Sequence, residues 1–547
     1  MTTAARDLYL LVAVIGLAPA VAQAGMPFLA QSAFVALGGM GTLQLERAGL
    51  PIGGAGLLTI VAGGALAYGL GLLLARADTA HTALATWALA WLVYTALLAF
   101  PVLSGGDEGL TRPAPDHVET IFGRLTLTAG VHFAAALVLC GVALWATARM
   151  RRGPAGLDLA AARDEPALAA SLGTPLARRC AQALAAGGAC GAAAGAGIAV
   201  LLGVAAPADV SPLLALQLFA AAVVGGRDPR LGPLLGFAVI WAIEPLADAI
   251  SGFAGVASTG VVTAALLVAA IALRPLTQRL ALREPEIAPP AGAAVSAVPH
   301  LAAPPDAPPE PDIAARGLAV TLGGREVLRD FAIALVPGEI HALVGPNGSG
   351  KTTALRVLSG DLAPDAGTLR RPGRVVRTFQ ELAGFSTLTP YRQMRLAVQA
   401  GDAAPGAALA DFAGLPGALA RAACRDRAAW AALGLAELTA RAHAAPGTLS
   451  TGERRLLQVV AAAATGAHAL LLDEPAAGMG PAERATLLRV LRSLAETGHS
   501  VLVVEHDLKL VGRAAARVTV LDDGRVIATG PPEEAISAAE VQRAYLG

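Results

Sequence analysis

Long apolar stretches in the first half of the chain constrain its fold more than any other feature. A helix that crosses a lipid bilayer needs about 20 consecutive, mostly apolar residues. Such stretches lie near residues 8–24, 55–75, 82–100, 126–148, 180–204, 231–250 and 258–274. Two shorter stretches, 27–45 and 211–226, are either further spans or re-entrant segments. The sequence therefore predicts a polytopic all-α membrane domain over residues 1–283, with about seven to nine membrane segments.

The first apolar stretch has an alternative interpretation as a cleaved secretory signal. Ala22-Gln23-Ala24 before Gly25 is a small-residue cleavage pattern. The residues that precede the stretch carry no net positive charge, however, and further predicted spans follow at once. These two observations favour a retained membrane helix.

Arginines in the loops predict the orientation of the spans, because cytoplasmic loops carry an excess of lysine and arginine. The stretch 149–179 has six arginines, and three more follow the last predicted span. Both regions should therefore be cytoplasmic, whereas the acidic loop 104–124 should face outward. The glycines within 180–204 favour close packing of helices in lipid over a role in substrate binding.

Composition excludes several other classes of protein. Formal net charge is zero, with 41 basic and 41 acidic residues, so no basic excess favours nucleic acid as a partner. The four cysteines form no C-x-x-C pair, which argues against a disulfide framework or a zinc site. Nine prolines between Glu284 and Asp312 predict a semi-extended linker over 284–312.

The second half, 313–547, alternates predicted strands and helices, which is typical of an α/β nucleotide-binding domain. Its strongest motif follows the predicted strand 340–344 and matches G-x-x-x-x-G-K-[ST] in a strand–loop–helix context. The residues of this motif are Gly345, Pro346, Asn347, Gly348, Ser349, Gly350, Lys351, Thr352 and Thr353. Loop N–H groups and Lys351 are expected to bind the phosphates of ATP, and the Thr352 hydroxyl to ligate Mg²⁺.

Two further strand ends carry candidate catalytic residues. Asp473 and Glu474 follow the predicted strand 469–472, where one carboxylate can hold Mg²⁺ and the other can activate the attacking water. His506 follows the predicted strand 500–504 and is a candidate contact for the γ-phosphate. The sequence therefore predicts a phosphoryl-transfer site with ATP and Mg²⁺.

These motifs resemble the ABC transporter ATPase family. The resemblance extends to Leu449-Ser450-Thr451-Gly452-Glu453, which is similar to the L-S-G-G-Q signature of that family, and to Gln380. It implies that two ATPase domains enclose two ATP molecules, so that Ser450, Thr451, Gly452 and Glu453 contact the ATP of a partner domain. It also implies that Gln380 contacts Mg²⁺ and senses the membrane domain, and that His506 is the switch histidine.

Finer details are similar to importers of branched-chain amino acids and to their urea and amide relatives. In the ATPase half these are R-T-F-Q, D-E-P-A-A-G-M, V-E-H-D-L and the closing A-Y-L-G. In the membrane half, Arg163, Asp164 and Glu165 begin a segment ending at Gly173 that resembles the coupling loop of the matching permease. On composition alone, that segment would be only an amphipathic loop helix.

Several positions depart from the pattern of the resembled family. Leu322 stands where an adenine-stacking aromatic residue is expected, Glu453 replaces the signature glutamine, Gly480 replaces an Asp or Asn, and Ala461 replaces an arginine. The phosphate loop and both carboxylates are intact. The resemblance therefore implies that this chain's own ATP site hydrolyses, and that the opposite site, built partly from this chain's signature, is weaker.

The sequence predicts an ATP hydrolase coupled to uptake of branched-chain amino acids or similar small polar solutes. Its expected place is the bacterial inner membrane, with the ATPase domain in the cytoplasm. The resemblance implies a second permease subunit, a second ABC ATPase subunit and a periplasmic substrate-binding protein as partners. Alternatives are a urea or amide importer subunit, an exporter half-transporter, and a membrane-anchored ABC regulator that transports nothing.

Overall fold

The chain forms two compact units in the computed structural model. The first comprises Met1–Arg163 and Pro175–Pro285, and the second comprises Asp164–Thr174 and Glu286–Gly547. The structure describes residues 1–75, 77–112, 117–120, 123–226, 228, 231–243, 245–246, 268–269, 272, 311–371, 373–378, 384–401 and 416–546. The predicted linker between Glu284 and Asp312 lies almost wholly outside these residues.

The first unit is built of helices joined by short loops. Its helices are α1 (Thr2–Ala18), α2 (Gln31–Arg47), α3 (Ile52–Leu74), α4 (Thr79–Ala99), α5 (Pro101–Ser104), α6 (Ala129–Arg152), α7 (Pro154–Asp164), α9 (Leu176–Leu202), α10 (Pro212–Val224) and α11 (Leu231–Trp241), with α8 (Pro166–Ser171) lying in the second unit. Four short strands are β1 (Leu110–Thr111), β2 (His117–Thr120), β3 (Gly123–Thr126) and β4 (Val204–Ala205). Strands β1 and β4 pair antiparallel, and β2 and β3 form an antiparallel hairpin.

Six helical segments among the described residues are long and apolar enough to cross a membrane. They are Thr2–Gln23, Ile52–Leu74, Thr79–Ala99, Ala129–Arg152, Leu176–Leu202 and Pro207–Val224. Five of them coincide with predicted spans, and the sixth corresponds to the shorter stretch 211–226. The stretch 27–45 forms the 17-residue helix α2. Of the other predicted spans, 231–250 is described mainly as the short apolar helix α11, and nearly all of 258–274 lies outside the described residues.

Glycines of α9 allow neighbouring helices to approach its backbone closely. A Cβ added at Gly188 would collide with Gly63 and Ala67 of α3, and a Cβ added at Gly195 would collide with the carbonyl of Val35 in α2. Small residues are the usual means by which membrane helices pack closely. The predicted packing role of these glycines is confirmed.

The second unit contains a mixed six-stranded sheet and a three-stranded antiparallel sheet. Its strands are β5 (Ile313–Leu322), β6 (Arg325–Leu335), β7 (Ile340–Val344), β8 (Ala366–Arg370), β9 (Val375–Arg377), β10 (Ala469–Asp473), β11 (Ser500–Val504), β12 (Arg517–Asp522) and β13 (Arg525–Gly530). The larger sheet has the order β13-β12-β7-β11-β10-β9, and the smaller has the order β6-β5-β8. In the larger sheet, all neighbours are parallel except the edge pair β12 and β13.

Helices cover this sheet and complete the predicted α/β domain. They are α12 (Lys351–Ser359), α13 (Pro390–Gly401), α14 (Pro416–Leu435), α15 (Thr451–Ala464), α16 (Pro481–Glu496), α17 (Leu508–Ala514), α18 (Pro532–Ser537) and α19 (Ala539–Leu546). Every residue of β7, β10 and β11 is buried, as expected for central parallel strands with continuous apolar sequences. Because parallel strands end at one edge of the sheet, the motifs that follow these three strands share that edge. The predicted fold class is confirmed.

Candidate functional site

The loop 345–350 joins the central strand β7 to the first turn of α12. Gly348 and Gly350 have φ values of 82° and 106°, a region that glycine enters without steric cost. At Gly350 an added Cβ would also lie only 2.9 Å from the carbonyl oxygen of Val327. The first N–H groups of a helix have no partner inside the helix, so this loop and the start of α12 form a cradle for an anion such as phosphate.

Lys351, the first residue of α12, extends its side chain over the loop. Its Nζ donates hydrogen bonds to the carbonyl oxygens of Gly345 and Pro346, both at 2.8 Å. Burial lowers the pKa of Lys351, and the nearby carboxylates of Glu474 and Asp473 act against that change. The ammonium group is therefore held over the loop and within electrostatic reach of the predicted acidic pair.

Asp473 ends strand β10 with a buried carboxylate. Burial raises its pKa, and the Arg377 guanidinium, 3.7 Å from Oδ2, lowers it. Within the described part of the chain, Oδ2 has no hydrogen-bond partner. A carboxylate on the sheet edge and the exposed hydroxyl of Thr352 are oxygen ligands of the kind that Mg²⁺ takes together with phosphate oxygens. The residues present therefore fit a magnesium ion.

Glu474 has a left-handed backbone conformation, with φ at 46°, which is uncommon for a residue that is not glycine. Its N–H donates to the carbonyl of Val504 at 3.0 Å, so the backbone is tied to strand β11. Its carbonyl accepts hydrogen bonds from the N–H of Ala477 at 3.2 Å and from the Arg455 guanidinium at 3.0 Å. These bonds hold the turn that carries the carboxylate.

His506 lies beside Glu474 at the end of β11. Its Nδ1 is 3.8 Å from Oε1 of Glu474, too long for a hydrogen bond, and its side chain is 65% exposed. The structure therefore brings Lys351, Asp473, Glu474 and His506 to one edge of the sheet, as the sequence predicted. Gln380 lies outside the described residues.

The signature residues begin helix α15. The Ser450 hydroxyl accepts a hydrogen bond from the N–H of Glu453 at 3.0 Å, and the Glu453 carboxylate accepts one from the N–H of Ser450 at 2.7 Å. This is a capping box, which stabilises the start of a helix. Glu453, the departure from the family's glutamine, also lies 3.3 Å from the Nε of Arg441.

A glutamate that sequence reasoning missed covers the signature. The Ser450 hydroxyl donates a hydrogen bond to Oε1 of Glu483 at 2.7 Å, and the N–H of Gly480 donates one to Oε2 at 2.9 Å. A Cβ added at Gly452 would collide with the same carboxylate. A glutamate three residues after Gly480 at the start of a helix is a capping pattern, which was the available signal for this residue.

The predicted coupling residues are divided between the two units. Arg163 belongs to the first, where its guanidinium donates to the carbonyl of Ala22. Asp164, Glu165 and Gly173 belong to the second. There, Oδ2 of Asp164 accepts hydrogen bonds from the N–H and the hydroxyl of Thr387, at 2.7 and 2.6 Å.

Other residues of the 164–174 segment line an apolar groove of the second unit. Glu165 immediately precedes α8, and its carbonyl accepts the N–H of Ala169 at 3.0 Å. Leu168 and Leu172 line the groove together with Phe385 and Ala461. Ala461, where the family commonly has an arginine, is therefore one of the small side chains that line this groove.

Comparisons with known proteins agree with both halves of the chain. A family model described as ABC transporter matches residues 328–477, and one described as branched-chain amino acid transport system / permease component matches residues 2–271. The high-affinity branched-chain amino acid transport ATP-binding protein LivG of Escherichia coli (strain K12) is 33% identical over 259 residues, which are 44% of this chain and 98% of LivG. The hemin import ATP-binding protein HmuV of Rhodococcus jostii is 35% identical over 245 residues, 44% of this chain and 82% of that protein.

Solved structures also match the second half. The crystal structure of a nucleotide-free ATP-binding cassette from an ABC transporter has a TM-score of 0.37 and 23% identity, and the match covers 43% of this chain and 99% of that one. A structure of an ATP binding subunit of an ABC transporter has a TM-score of 0.35 and 21% identity, over 43% and 98% of the two chains.

Proposed function

This chain belongs to the ABC transporter family and joins a permease domain of the branched-chain amino acid type to an ABC ATPase domain, and we propose that it imports branched-chain amino acids or similar small polar solutes. The observation that carries the proposal is the presence of this permease in one chain with an intact phosphate loop and acidic pair. ATP hydrolysis would then be coupled directly to movement of solute.

The proposed hydrolytic site assigns a role to each side chain at the edge of the sheet. The amides of loop 345–350 and Lys351 bind the β- and γ-phosphates, and Thr352 and Asp473, with Gln380, hold Mg²⁺. When bound there, Mg²⁺ would withdraw charge from the phosphate oxygens. Glu474 orients the attacking water and accepts its proton, and His506 contacts the γ-phosphate. The fixed turn at Glu474 supports this assignment, because its hydrogen bonds hold the carboxylate beside the loop.

The signature residues of α15 serve a different ATP molecule in this proposal. Ser450, Thr451, Gly452 and Glu453 contact the nucleotide bound to a second ABC ATPase, which together with a second permease completes the complex. The segment from Asp164 to Gly173 transmits closure of the ATPase pair to the membrane domain. Arg163 anchors the first-unit end of that segment through Ala22.

The permease family and the arginine-rich loop 149–179 support import in the bacterial inner membrane, with the ATPase on the cytoplasmic side. A periplasmic binding protein would deliver the solute. Short cytoplasmic loops between the apolar helices argue against an exporter, and the intact Glu474 and His506 argue against a regulator that does not hydrolyse ATP. A urea or amide importer uses the same parts and is the second candidate.

Stimulation of ATP hydrolysis in the purified complex tests the proposal. The chain and the subunits that copurify with it would be reconstituted in lipid, and phosphate release would be measured with periplasmic binding proteins loaded with leucine, valine or urea. Stimulation by an amino-acid-loaded binding protein is expected. Stimulation only by the urea-loaded protein would move the assignment to the urea importers, and no stimulation by any of them would overturn import.

A Glu474→Gln variant is the internal control for the hydrolytic site. It keeps the size and the carbon skeleton of the side chain but removes the carboxylate that accepts the proton of the water. We expect it to bind ATP normally and to hydrolyse it at least about a hundredfold more slowly. Hydrolysis at the wild-type rate would remove Glu474 from the mechanism.

A further inference from the structure

Arg374 joins the C-terminal ends of three helices within the second unit. Its Nη2 donates to the carbonyl of Leu172, the residue that caps α8, at 2.6 Å. Its Nη1 donates to the carbonyls of Ala400 in α13 at 2.9 Å and of Thr465, which caps α15, at 3.1 Å. A planar guanidinium has five N–H donors in a fixed arrangement, so one side chain can satisfy several carbonyls that helix ends leave unpaired.

The backbone of Arg374 is fixed as well. Its N–H donates to Nδ1 of His468 at 3.2 Å, and its carbonyl accepts the N–H of His468 at 2.9 Å. His468 lies between the end of α15 and strand β10, which begins at Ala469. Arg374 is thus attached to the sheet through its main chain and to three helices through its side chain.

Gly173 shows that the segment is shaped around this arginine. Its φ is 89°, and an added Cβ would overlap the guanidinium of Arg374. The segment has a second anchor at Asp164, which binds Thr387, but Thr387 makes no described bond to α15. The segment meets α15 in two places: Leu168 and Leu172 line a groove together with Ala461 of that helix, and Arg374 hydrogen bonds both Leu172 and the capping residue Thr465. The contact through Arg374 is the one made by directional hydrogen bonds.

We propose that Arg374 is a positioning residue that transmits movement of the 164–174 segment to the signature helix α15. This inference rests on the proposed function, because it takes that segment to be the coupling segment of the permease. Helix α15 has 14 residues and is therefore about 21 Å long. A rotation of about 5° at its Arg374 end moves the Ser450 end by about 2 Å, which is enough to make or break a hydrogen bond to a nucleotide.

Replacing the arginine separates coupling from nucleotide binding. In the reconstituted complex, Arg374→Met should leave ATP binding at this chain's own phosphate loop unchanged, because the residue does not contact that loop. Stimulation of kcat by the solute-loaded binding protein should fall about tenfold, the usual size of a coupling between sites. Arg374→Lys should restore only part of it, since lysine lacks the fork that reaches several carbonyls. Arg525→Met, at an exposed arginine of β13, is the matched control.

The outcomes separate this inference from the proposed function. If the wild type is stimulated and Arg374→Met is stimulated equally, Arg374 transmits nothing and the inference is overturned. If the wild type itself is not stimulated, the import proposal fails. The role of Arg374 is then tested on kcat for ATP hydrolysis without any binding protein. In that case Gly173→Ala and Arg374→Met should lower kcat by the same route, so the double variant should be no slower than the slower single variant. Additive losses would overturn the inference.

Discussion

A single carboxylate decides how accessible the signature of this chain is. Glu483 accepts the Ser450 hydroxyl and the N–H of Gly480, and its carboxylate lies against Gly452. It therefore occupies the face that we assign to the ATP of a partner domain. A γ-phosphate that approaches this face meets a negative charge and a serine hydroxyl that is already hydrogen bonded. In the proposed complex, Glu483 would therefore act against the closure of the second ATP site.

Glu483→Gln should make ATP binding by the complex stronger. Glutamine retains one oxygen that accepts the N–H of Gly480, its NH2 group can donate to the Ser450 hydroxyl oxygen, and the negative charge is removed. Two unit charges about 4 Å apart interact by about 1 kcal/mol even in bulk water, so the ATP concentration for half-maximal hydrolysis should fall about fivefold. The measurement is phosphate release against ATP concentration, with Glu496→Gln at the other end of α16 as the control. An unchanged or higher KM would show that Glu483 only caps its helix.

At the scale of elements, most of the fold could be predicted from the length of the apolar runs and from the strands that precede the motifs. The long runs predicted the spanning helices, and the strands 340–344, 469–472 and 500–504 correspond to β7, β10 and β11 to within one residue. The stretch 27–45 is ambiguous in the sequence because it is short and broken by glycines. In the structure it also contains a buried polar side chain, Gln31, whose Nε2 donates to the carbonyls of Ala13 and Gly187, both at 3.0 Å.

The residues that sequence reasoning missed act through contacts distant in the chain. Arg374 bonds Leu172, which is 202 positions away, and Arg455 bonds the carbonyl of Glu474 from another element. No local spacing indicates either contact, since an arginine is an ordinary residue in a loop or on a helix. Phosphate-loop and acidic-pair residues were predictable because their chemistry requires fixed spacings next to strands.

Strand β7 carries a buried histidine that should make the ATPase domain sensitive to acid. His341 is 2% exposed, and its Nε2 lies 2.8 Å from the hydroxyl of Thr519 on the neighbouring strand β12. Burial lowers the pKa of His341 to about 4, with Arg517 adding to the effect. The unfolded chain therefore binds this proton more tightly than the folded chain does. The free energy of unfolding is therefore not reduced by His341 above pH 6.5, and it decreases as the pH falls from about 6.5 to about 4.

His341→Gln should flatten this pH dependence while keeping a group that can bond Thr519. The pKa difference corresponds to about 3 kcal/mol of unfolding free energy at most. The measurement is the unfolding temperature of the ATPase transition between pH 7.5 and pH 4.5, in wild type and variant. The difference between the two curves isolates the histidine from Asp473 and Glu505, whose raised pKa values act in the opposite direction. Parallel curves would contradict the assignment.

At the scale of the whole molecule, one chain supplies one phosphate loop and one signature. The phosphate loop keeps the residues that the family pattern requires, whereas the signature departs from that pattern. The site at the phosphate loop has Lys351 and the acidic pair Asp473 and Glu474. The signature has Glu453, which is engaged inside the chain by the Ser450 N–H and Arg441, and it is covered by Glu483. A complex of this chain with a different ATPase chain would therefore contain a strong site at this phosphate loop and a weak site at this signature.

Two variants of this chain test that inequality without any change to its partner. Lys351→Ala removes the cation of this chain's own site, and loss of one such electrostatic group slows that site by about a hundredfold. Hydrolysis by the complex should then fall to the share that the opposite site supplies. Ser450→Arg places a bulky side chain on the signature and closes only the opposite site, so hydrolysis by the complex should fall by less than about twofold if that site contributes less than half of the turnover. Phosphate release by the two reconstituted complexes, each with an unfolding temperature like that of the wild type, gives the comparison. Equal losses would mean that the two sites are equivalent, as in a symmetric pair of identical chains, because each variant would then disable both sites at once.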